Sequence, residues 1–397
     1  MKKAVIVDGL RTPFGRFKGA LKSVRPDDLA SIVIQNLVER NHLKDHIIDD
    51  VILGCVNQAG EDNRNIARMA LLLAGLSDQI PGVTVNRLCG SGLEAVNQAV
   101  MQIQTGRADT VIAGGVESMT RSPYVMLKPE VGFHRGNQTL VDTTIGWRFV
   151  NPHMNQLYPV VSLGESAEIM AEKFHISRSD QDRFACASHQ KATNAESNGL
   201  FENEIIPVYE SQSEKILLHK DEHVRGETTY EKLSELPPAF KKNGTVTAGN
   251  SSGINDGACV LLLMEYEHAV NNGYIPLAEV ISSSVAGVHP SLLGMGPIPA
   301  SLKALKAAGL NMEDISLWEI SEAFASMTLT SMRELNLDPE IVNVNGGAIS
   351  FGHPLGASGA RMILTLVHEL RRRKQNYGLV TMCIGVGQGI ATIVRAL

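Results

Sequence analysis

Short β-branched and apolar runs alternate along this chain with stretches whose apolar residues recur every three or four positions. Ala4–Val7, Val51–Leu53, Val83–Val85 and Thr110–Ala113 have the length and composition of buried strands. Between them, Leu29, Ile32, Val33 and Leu37 mark one face of a helix that follows Pro26. Ile66–Leu73 gives a second helix, and Leu93, Val96, Ala99, Val100 and Ile103 a third.

The pattern is then stated again. Strand Ala278–Ser282 precedes a helix that starts after Pro299, carries Leu302, Leu305 and Ala308, and ends at Gly309, a C-terminal cap. Strand Leu317–Ile320, helix Ala323–Leu335, strand Val342–Val344, a helix with Ile363, Leu366, Val367 and Leu370, and strand Leu379–Met382 complete the second round. Val83-Thr84-Val85-Asn86 echoes Val342-Asn343-Val344-Asn345, and Ser91-Gly92 echoes Ser358-Gly359. A period this long denotes a duplicated domain, not a solenoid. Strands alternating with helices call for a mostly parallel sheet covered on both faces.

The halves differ in how they close. In the second, Ala391–Val394 returns directly after a glycine-rich turn; in the first, the equivalent strand is Ala258–Met264. The chain therefore divides into an N-terminal half (1–118 with 251–273), an insertion (119–250) and a C-terminal half (274–397). The insertion is polar, contains Pro237-Pro238, and is too long for a structureless loop. Helices are expected in it at Ser166–Lys173 and Ser179–Ala195, the latter opening on Ser-x-x-Asp, and it is read as a small domain over one face.

Composition narrows the function. The 397 residues are 44% hydrophobic and 20% charged, with a formal charge of −6, so nucleic acid is not an expected partner. No apolar run approaches the roughly 18 residues of a membrane span, and Met1-Lys2-Lys3 leads into no signal-peptide core. Cys55, Cys89, Cys186, Cys259 and Cys383 have no metal-ligand spacing. They read as reduced thiols of a cytoplasmic protein, and no metal is expected.

The candidate chemistry lies just after strands in corresponding parts of the two halves. Cys89 falls between strand Val83–Val85 and its helix, where unpaired amides favour a thiolate. His353 and Cys383 hold comparable positions in the second half, and ligands of open α/β sheets bind outside the carboxyl ends of strands. Two thiols and an imidazole in one crevice suit acyl transfer: one thiolate attacks a carbonyl, the other thiol shuttles a proton, and the imidazole with backbone amides holds the oxyanion. Glycines around each residue would let amides approach a substrate. Taken singly, each has a plainer reading: Cys89 as a small core cysteine, His353 as a hydrogen-bonded loop histidine, Cys383 as a buried strand-end thiol. Gly385-Val386-Gly387-Gln388-Gly389 lacks the helix and acidic residue of a dinucleotide fingerprint. His42, His46 and the other histidines are expected at the surface.

Four separated motifs occur in order: Asn86-Arg87-Leu88-Cys89-Gly90-Ser91-Gly92, Gly114-Gly115-Val116-Glu117-Ser118-Met119, Asn345-Gly346-Gly347 through Gly352-His353-Pro354-Leu355-Gly356, and Cys383-Ile384-Gly385-Val386-Gly387-Gln388-Gly389. Together they resemble the thiolase family, from Arg11-Thr12-Pro13-Phe14-Gly15 to the last strand. The resemblance implies a duplicated five-layer α-β-α-β-α fold with an inserted loop domain that binds coenzyme A, and a homodimer or homotetramer. It implies thiolytic cleavage of 3-ketoacyl-CoA to acyl-CoA and acetyl-CoA, as in fatty-acid or related degradation. Coenzyme A would be substrate and product, with no permanently bound cofactor. Cys89 would be acylated. Cys383 would protonate the departing acetyl-CoA carbanion and then deprotonate the incoming thiol. His353 would donate to the enolate's thioester oxygen, and the Cys89 and Gly385 amides would hold the tetrahedral oxyanion. Ala248, Ser252, Gly253 and Ile254 fall in the family's pantetheine-contacting segment, beside Ala323 and Phe324; Arg225, Leu236 and Phe240 match its nucleotide end.

Two positions depart from the family pattern. Ser321-Glu322-Ala323-Phe324 stands where Asn-Glu-Ala-Phe is usual, so Ser321 would hold the enolate-site water with a shorter side chain. Ser162-Leu163-Gly164 replaces the His-Met-Gly of many acetoacetyl-specific members. The stretches 54–65 and 142–149 look most like degradative members, among them 3-oxoadipyl-CoA thiolases. The competing readings are a biosynthetic acetyl-CoA acetyltransferase that forms acetoacetyl-CoA, and a catalytically weak CoA- or lipid-binding relative.

Overall fold

Two rounds of strand and helix, wound alike, build the molecule, which a computed structural model describes over residues 2–44, 47–210 and 213–397. The first round comprises β1 (Ala4–Arg11), α1 (Pro26–Arg40), β2 (Asp50–Gly54), α2 (Ile66–Leu73), β3 (Gly82–Val85), α3 (Ser91–Gln104) and β4 (Thr110–Ser118). The insertion contributes α4 (Leu163–Lys173) and α5 (Arg178–Ser197), after which β5 (Asn255–Glu265) closes the first half. The second round is β6 (Ala278–Gly287), α6 (Pro297–Ala308), β7 (Ile315–Ile320), α7 (Ala325–Glu334), α8 (Leu355–Arg373), β8 (Tyr377–Ile384) and β9 (Gln388–Ala396).

The strand order β7-β8-β9-β6-β1-β5-β4-β2-β3 shows the duplication: read outward from the central β6–β1 contact, each half runs through equivalent strands. The expectation of a mostly parallel sheet is corrected. Among the described strand pairs only β2–β3, β2–β4 and β7–β8 are parallel; β9 returns by a tight hairpin and β5 after the whole insertion, and each pairs antiparallel with both neighbours. Three apolar clusters separate five layers. One lies between α1, α2 and the outer face of the first half-sheet, with Val33, Leu37 and Leu71. The second encloses α3 and α8 between the two half-sheets, with Leu93, Val96, Ile363 and Val367. The third packs α6 on the outer face of the second half, around Leu305 and Trp318.

Local expectations meet the structure in detail. Gly309 caps α6 at φ 68°, but Leu302 is 49% exposed, off the buried stripe. Helices α4 and α5 begin earlier than expected, on reciprocal capping boxes Ser162/Glu165 and Ser177/Asp180. Strand Val342–Val344 shrinks to one bridge with Trp318, because Asn343 turns to φ 45° and its side chain bonds both Ile320 backbone groups instead. Strand β3 is not buried: it forms the open edge of the sheet, and Val83 is 39% exposed.

The insertion is fastened to both halves. Its Glu204 and Asp221 engage the buried Arg11 guanidinium at 2.9 and 2.7 Å, and Ser188 on α5 bonds Glu322 and Ser350. No helix among the described residues is long and apolar enough to cross a membrane.

Candidate active site

Cys89 sits in a one-turn connection from β3 to α3. Asn86 Oδ1 accepts from the Leu88 amide (2.9 Å), while Ser91 Oγ accepts from Arg87 N (2.9 Å) and donates to Leu88 O (2.6 Å). This folds Leu88 to φ 47° and places Cys89 immediately before the helix. Burial pushes its thiol up to about 11, against hydrogen bonds from the Gly385 amide and its own amide. The helix terminus is therefore present, but desolvation outweighs it, and the resting group is a thiol, not the expected thiolate.

Cys383 lies within β8, one residue from its end, not after the strand. Burial, and then the neighbouring Cys89, push it up to about 12. The Gly385 amide that reaches Cys89 belongs to the β8–β9 turn, in which Val386 is held at φ 62°, a costly conformation for a β-branched residue.

His353 is anchored at its backbone, where its amide donates to Asn255 Oδ1 (2.9 Å) and Asn255 in turn donates to Gly15 O (3.0 Å). Its Nδ1 lies 2.7 Å from Ser358 Oγ, and its buried Nε2 has no partner among the described residues. Burial and nearby Arg361 push the imidazole down to about 4, so it is neutral at pH 7. Ser321 Oγ is the second buried polar atom here without a partner among the described residues. Its amide bonds Thr381 O at 3.0 Å, two residues from Cys383. Glu322 ties this loop to the segment leading to His353, accepting from Ser188 Oγ, Asn343 Nδ2 and Ile349 N.

The flanking glycines serve the helix crossing more than a substrate. A Cβ on Gly92 would stand 2.4 Å from Gly356 O, and one on Gly359 would stand 2.4 Å from Leu93 N. Helices α3 and α8 thus cross in reciprocal contact at the two echoed Ser-Gly pairs, which is what brings the Cys89 and His353 turns side by side.

The positions expected on the coenzyme side fall in two groups. Ser252 N bonds Ala323 O (3.0 Å), Ala325 N bonds Asn250 O (2.9 Å), and Phe240 meets Phe324 edge-on at 5.9 Å. Leu236 faces Gly249, Ala248 is exposed, and Phe324 shares an apolar cluster with Cys383. Arg225 and Ile254 line a cavity of about 340 Å³ with Arg16, Phe17, Glu222 and His223, and Gly253 abuts His223. Arg225 forms no ion pair with a carboxylate among the described residues, its nearest polar side-chain contact being His223 Nε2 at 3.3 Å. The surface expectation fails for His189, which is 2% exposed and accepts from Arg225 N; His42 is exposed and His46 lies outside the described residues.

Comparison with known proteins gives this geometry a context. Residues 4–267 match the family model "Thiolase, N-terminal domain", and residues 274–396 match "Thiolase, C-terminal domain". The chain belongs to the thiolase family. It is 52% identical to the 3-oxoadipyl-CoA/3-oxo-5,6-dehydrosuberyl-CoA thiolase of Escherichia coli (strain K12) over 100% of both chains. It is 50% identical to a beta-ketoadipyl-CoA thiolase of Pseudomonas knackmussii over 99% of both. Among solved structures, the Bacillus anthracis acetyl-CoA acetyltransferase superposes with a TM-score of 0.93 at 42% identity, covering 100% of this chain and 99% of that one.

Within this thiolase, Glu117 is a site residue that the sequence motifs alone do not reveal. Its buried carboxylate accepts from Val56 N, Asn57 N and Gly356 N, each at 3.0 Å, joining the two halves beneath Cys89. Burial, opposed by those amides, raises it to about 7. An acidic residue inside an apolar strand was the available signal. Ser358, beside His353, carries no sequence signal beyond its place in the Ser-Gly echo.

Proposed function

We propose that this thiolase is degradative, with Cys89 as its acyl carrier, and that 3-oxoadipyl-CoA is its 3-ketoacyl substrate. The observation that carries the residue roles is the meeting of the Gly385 amide, Cys383 and Cys89 from opposite halves of the chain. The substrate rests on the printed names of the full-length relatives. Both thiols rest protonated, so attack needs a base, and the unpartnered, neutral Nε2 of His353 supplies it. Cys89 S–H gives its proton to Nε2 as the sulfur bonds the 3-keto carbon, with the Cys89 and Gly385 amides receiving the oxyanion. The carbon–carbon bond breaks, and the imidazolium and Ser321 hold the enolate oxygen, directly or through a water. Cys383 S–H protonates the enolate carbon, and acetyl-CoA leaves. Cys383, now a thiolate, deprotonates incoming CoA, whose sulfur bonds the acyl carbon; Cys89 is expelled as acyl-CoA forms and recovers its proton from His353. Condensation is the same path in reverse.

Arg225 at its open cavity, with Leu236 beside Gly249 and Phe240 against Phe324, would bind coenzyme A alongside Ala248, Ser252, Gly253, Ile254 and Ala323. Coenzyme A enters and leaves as substrate and product, with no resident cofactor. The free state of all five cysteines agrees with work in the cytoplasm. The unpaired edge of β3 and the exposed Leu127, Phe133 and Leu140 favour a homodimer or homotetramer.

Radiolabelled acetyl-CoA followed by peptide mapping tests the acyl carrier: label on Cys89 is expected, and turnover retained in Cys89→Ala would refute it. Rates with acetoacetyl-CoA, a long-chain 3-ketoacyl-CoA and 3-oxoadipyl-CoA test the substrate; preference for either of the first two would overturn that assignment.

A further inference from the structure

We propose that Ser358 is a positioning residue that keeps the His353 ring proton on Nδ1, leaving Nε2 open as the base toward Cys89. The proposal rests on the role given to His353 above. Ser358 is 2% exposed, and its single hydroxyl proton has two acceptors in reach: Pro354 O at 3.0 Å and His353 Nδ1 at 2.7 Å. A serine in the first turn of a helix commonly donates to the carbonyl four residues back. With that bond made, Nδ1–H must be the donor to Oγ, and the chain Nδ1–H to Oγ–H to the Pro354 carbonyl leaves none of its members unpaired.

This arrangement serves both half-reactions without rotating the hydroxyl. When Cys89 sulfur bonds the acyl carbon, its proton moves to Nε2, and the imidazolium keeps Nδ1–H on Ser358. When Cys89 leaves, the same proton returns from Nε2 to sulfur. Nothing moves at Nδ1, so the side of the ring facing Ser358 is fixed and only Nε2 titrates. The repeat supplies a parallel: Ser91, the echo of Ser358, braces the Cys89 turn by donating to Leu88 O at 2.6 Å. Each half thus carries one serine that supports its reactive residue.

Without the Ser358 hydroxyl, Nδ1–H would be buried with no partner, as Nε2 already is, and the ring proton would lose its preference for Nδ1. Nitrogen-15 NMR of the full-length enzyme with labelled histidine reports the tautomer, with His353→Gln used to assign the signals. In the wild type, protonated Nδ1 and unprotonated Nε2 are expected, and in Ser358→Ala a loss of that preference, with Nε2 protonated in a substantial fraction of the molecules. Acylation of Cys89 by acetyl-CoA should slow about tenfold or more in Ser358→Ala while the KM for acetyl-CoA stays within about twofold, and Ser358→Thr should recover most of the rate. A wild-type ring protonated on Nε2, or Ser358→Ala acylating at the wild-type rate, overturns the proposal. The wild-type spectrum decides alone if Ser358→Ala does not fold. If His353→Gln acylates normally, the base role falls and takes the proposal with it. Loss in His353→Gln beside a normal Ser358→Ala removes Ser358 only.

Discussion

Alanine at Gly92 should separate the two halves of the active site. The added Cβ would lie 2.4 Å from Gly356 O and 3.2 Å from Ala360 N, both backbone atoms of α8, so no side chain can rotate away. An ordinary carbon–oxygen contact is about 3.3 Å, so α3 and α8 must part by about 1 Å. Alanine gains at most about 1 kcal/mol of helix propensity over glycine, and less in a first turn. Overpacking a close helix contact costs about 1–3 kcal/mol, so net destabilisation of about 1–2 kcal/mol is expected. The kinetic effect should be larger, because a shift of about 1 Å between reacting groups costs on the order of 10²-fold. Urea unfolding and thiolysis kcat measure the two effects, with Gly287→Ala as control, since nothing lies within 4 Å of its added Cβ. A Gly92→Ala enzyme as stable and as fast as that control would refute the crossing as the device that aligns Cys89 with His353.

Cys383→Ser replaces the acid and base of the carbon step with a hydroxyl and should lower kcat by about 10²- to 10⁴-fold with CoA affinity little changed, as read by steady-state kinetics and CoA titration. Ser321→Asn should speed condensation of acetyl-CoA, by up to the roughly 3 kcal/mol that one enolate-site donor can supply; an unchanged rate would mean that Ser321 already fills the role. Glu117 predicts a pH effect. Its folded value, about 7, lies above the ordinary 4.5, so its contribution to stability is complete below pH 4.5 and is lost as pH rises through 7. The loss amounts to about 3 kcal/mol at most, and urea midpoints across pH 4.5–8 should show it in the wild type and not in Glu117→Gln.

The duplication and the reactive trio were legible because each left a local signature: strand-length apolar runs, a repeated Ser-Gly, and chemistry-bearing residues after equivalent strands. What stayed hidden depends on neighbours distant in sequence. Val83 has the composition of a buried strand, yet no strand covers its outer edge. Val342–Val344 alternates like a strand, but Asn343 bonds Ile320 with its side chain and turns the backbone away. The antiparallel return of β5 follows from a connection some 130 residues long, whose direction no local pattern encodes. Gly92 looked like an opening for a ligand because α8, which fills that space, comes from the other half. Cys89 looked like a thiolate because the helix start is written locally, whereas the burial that opposes it is not.

The place where the halves join has a consequence for gene architecture. Ala278 pairs with Ile6 on one side and Ala396 on the other, so the first strand starts and the last strand ends beside the same residue. A short peptide could fuse the two ends there, and a chain opened between Asn272 and Tyr274 would recite its domains in reverse order. Because that rearrangement keeps every strand contact of the sheet, such a permuted protein should assemble the same crevice. The order in which the halves follow one another along the chain is then no requirement of the chemistry.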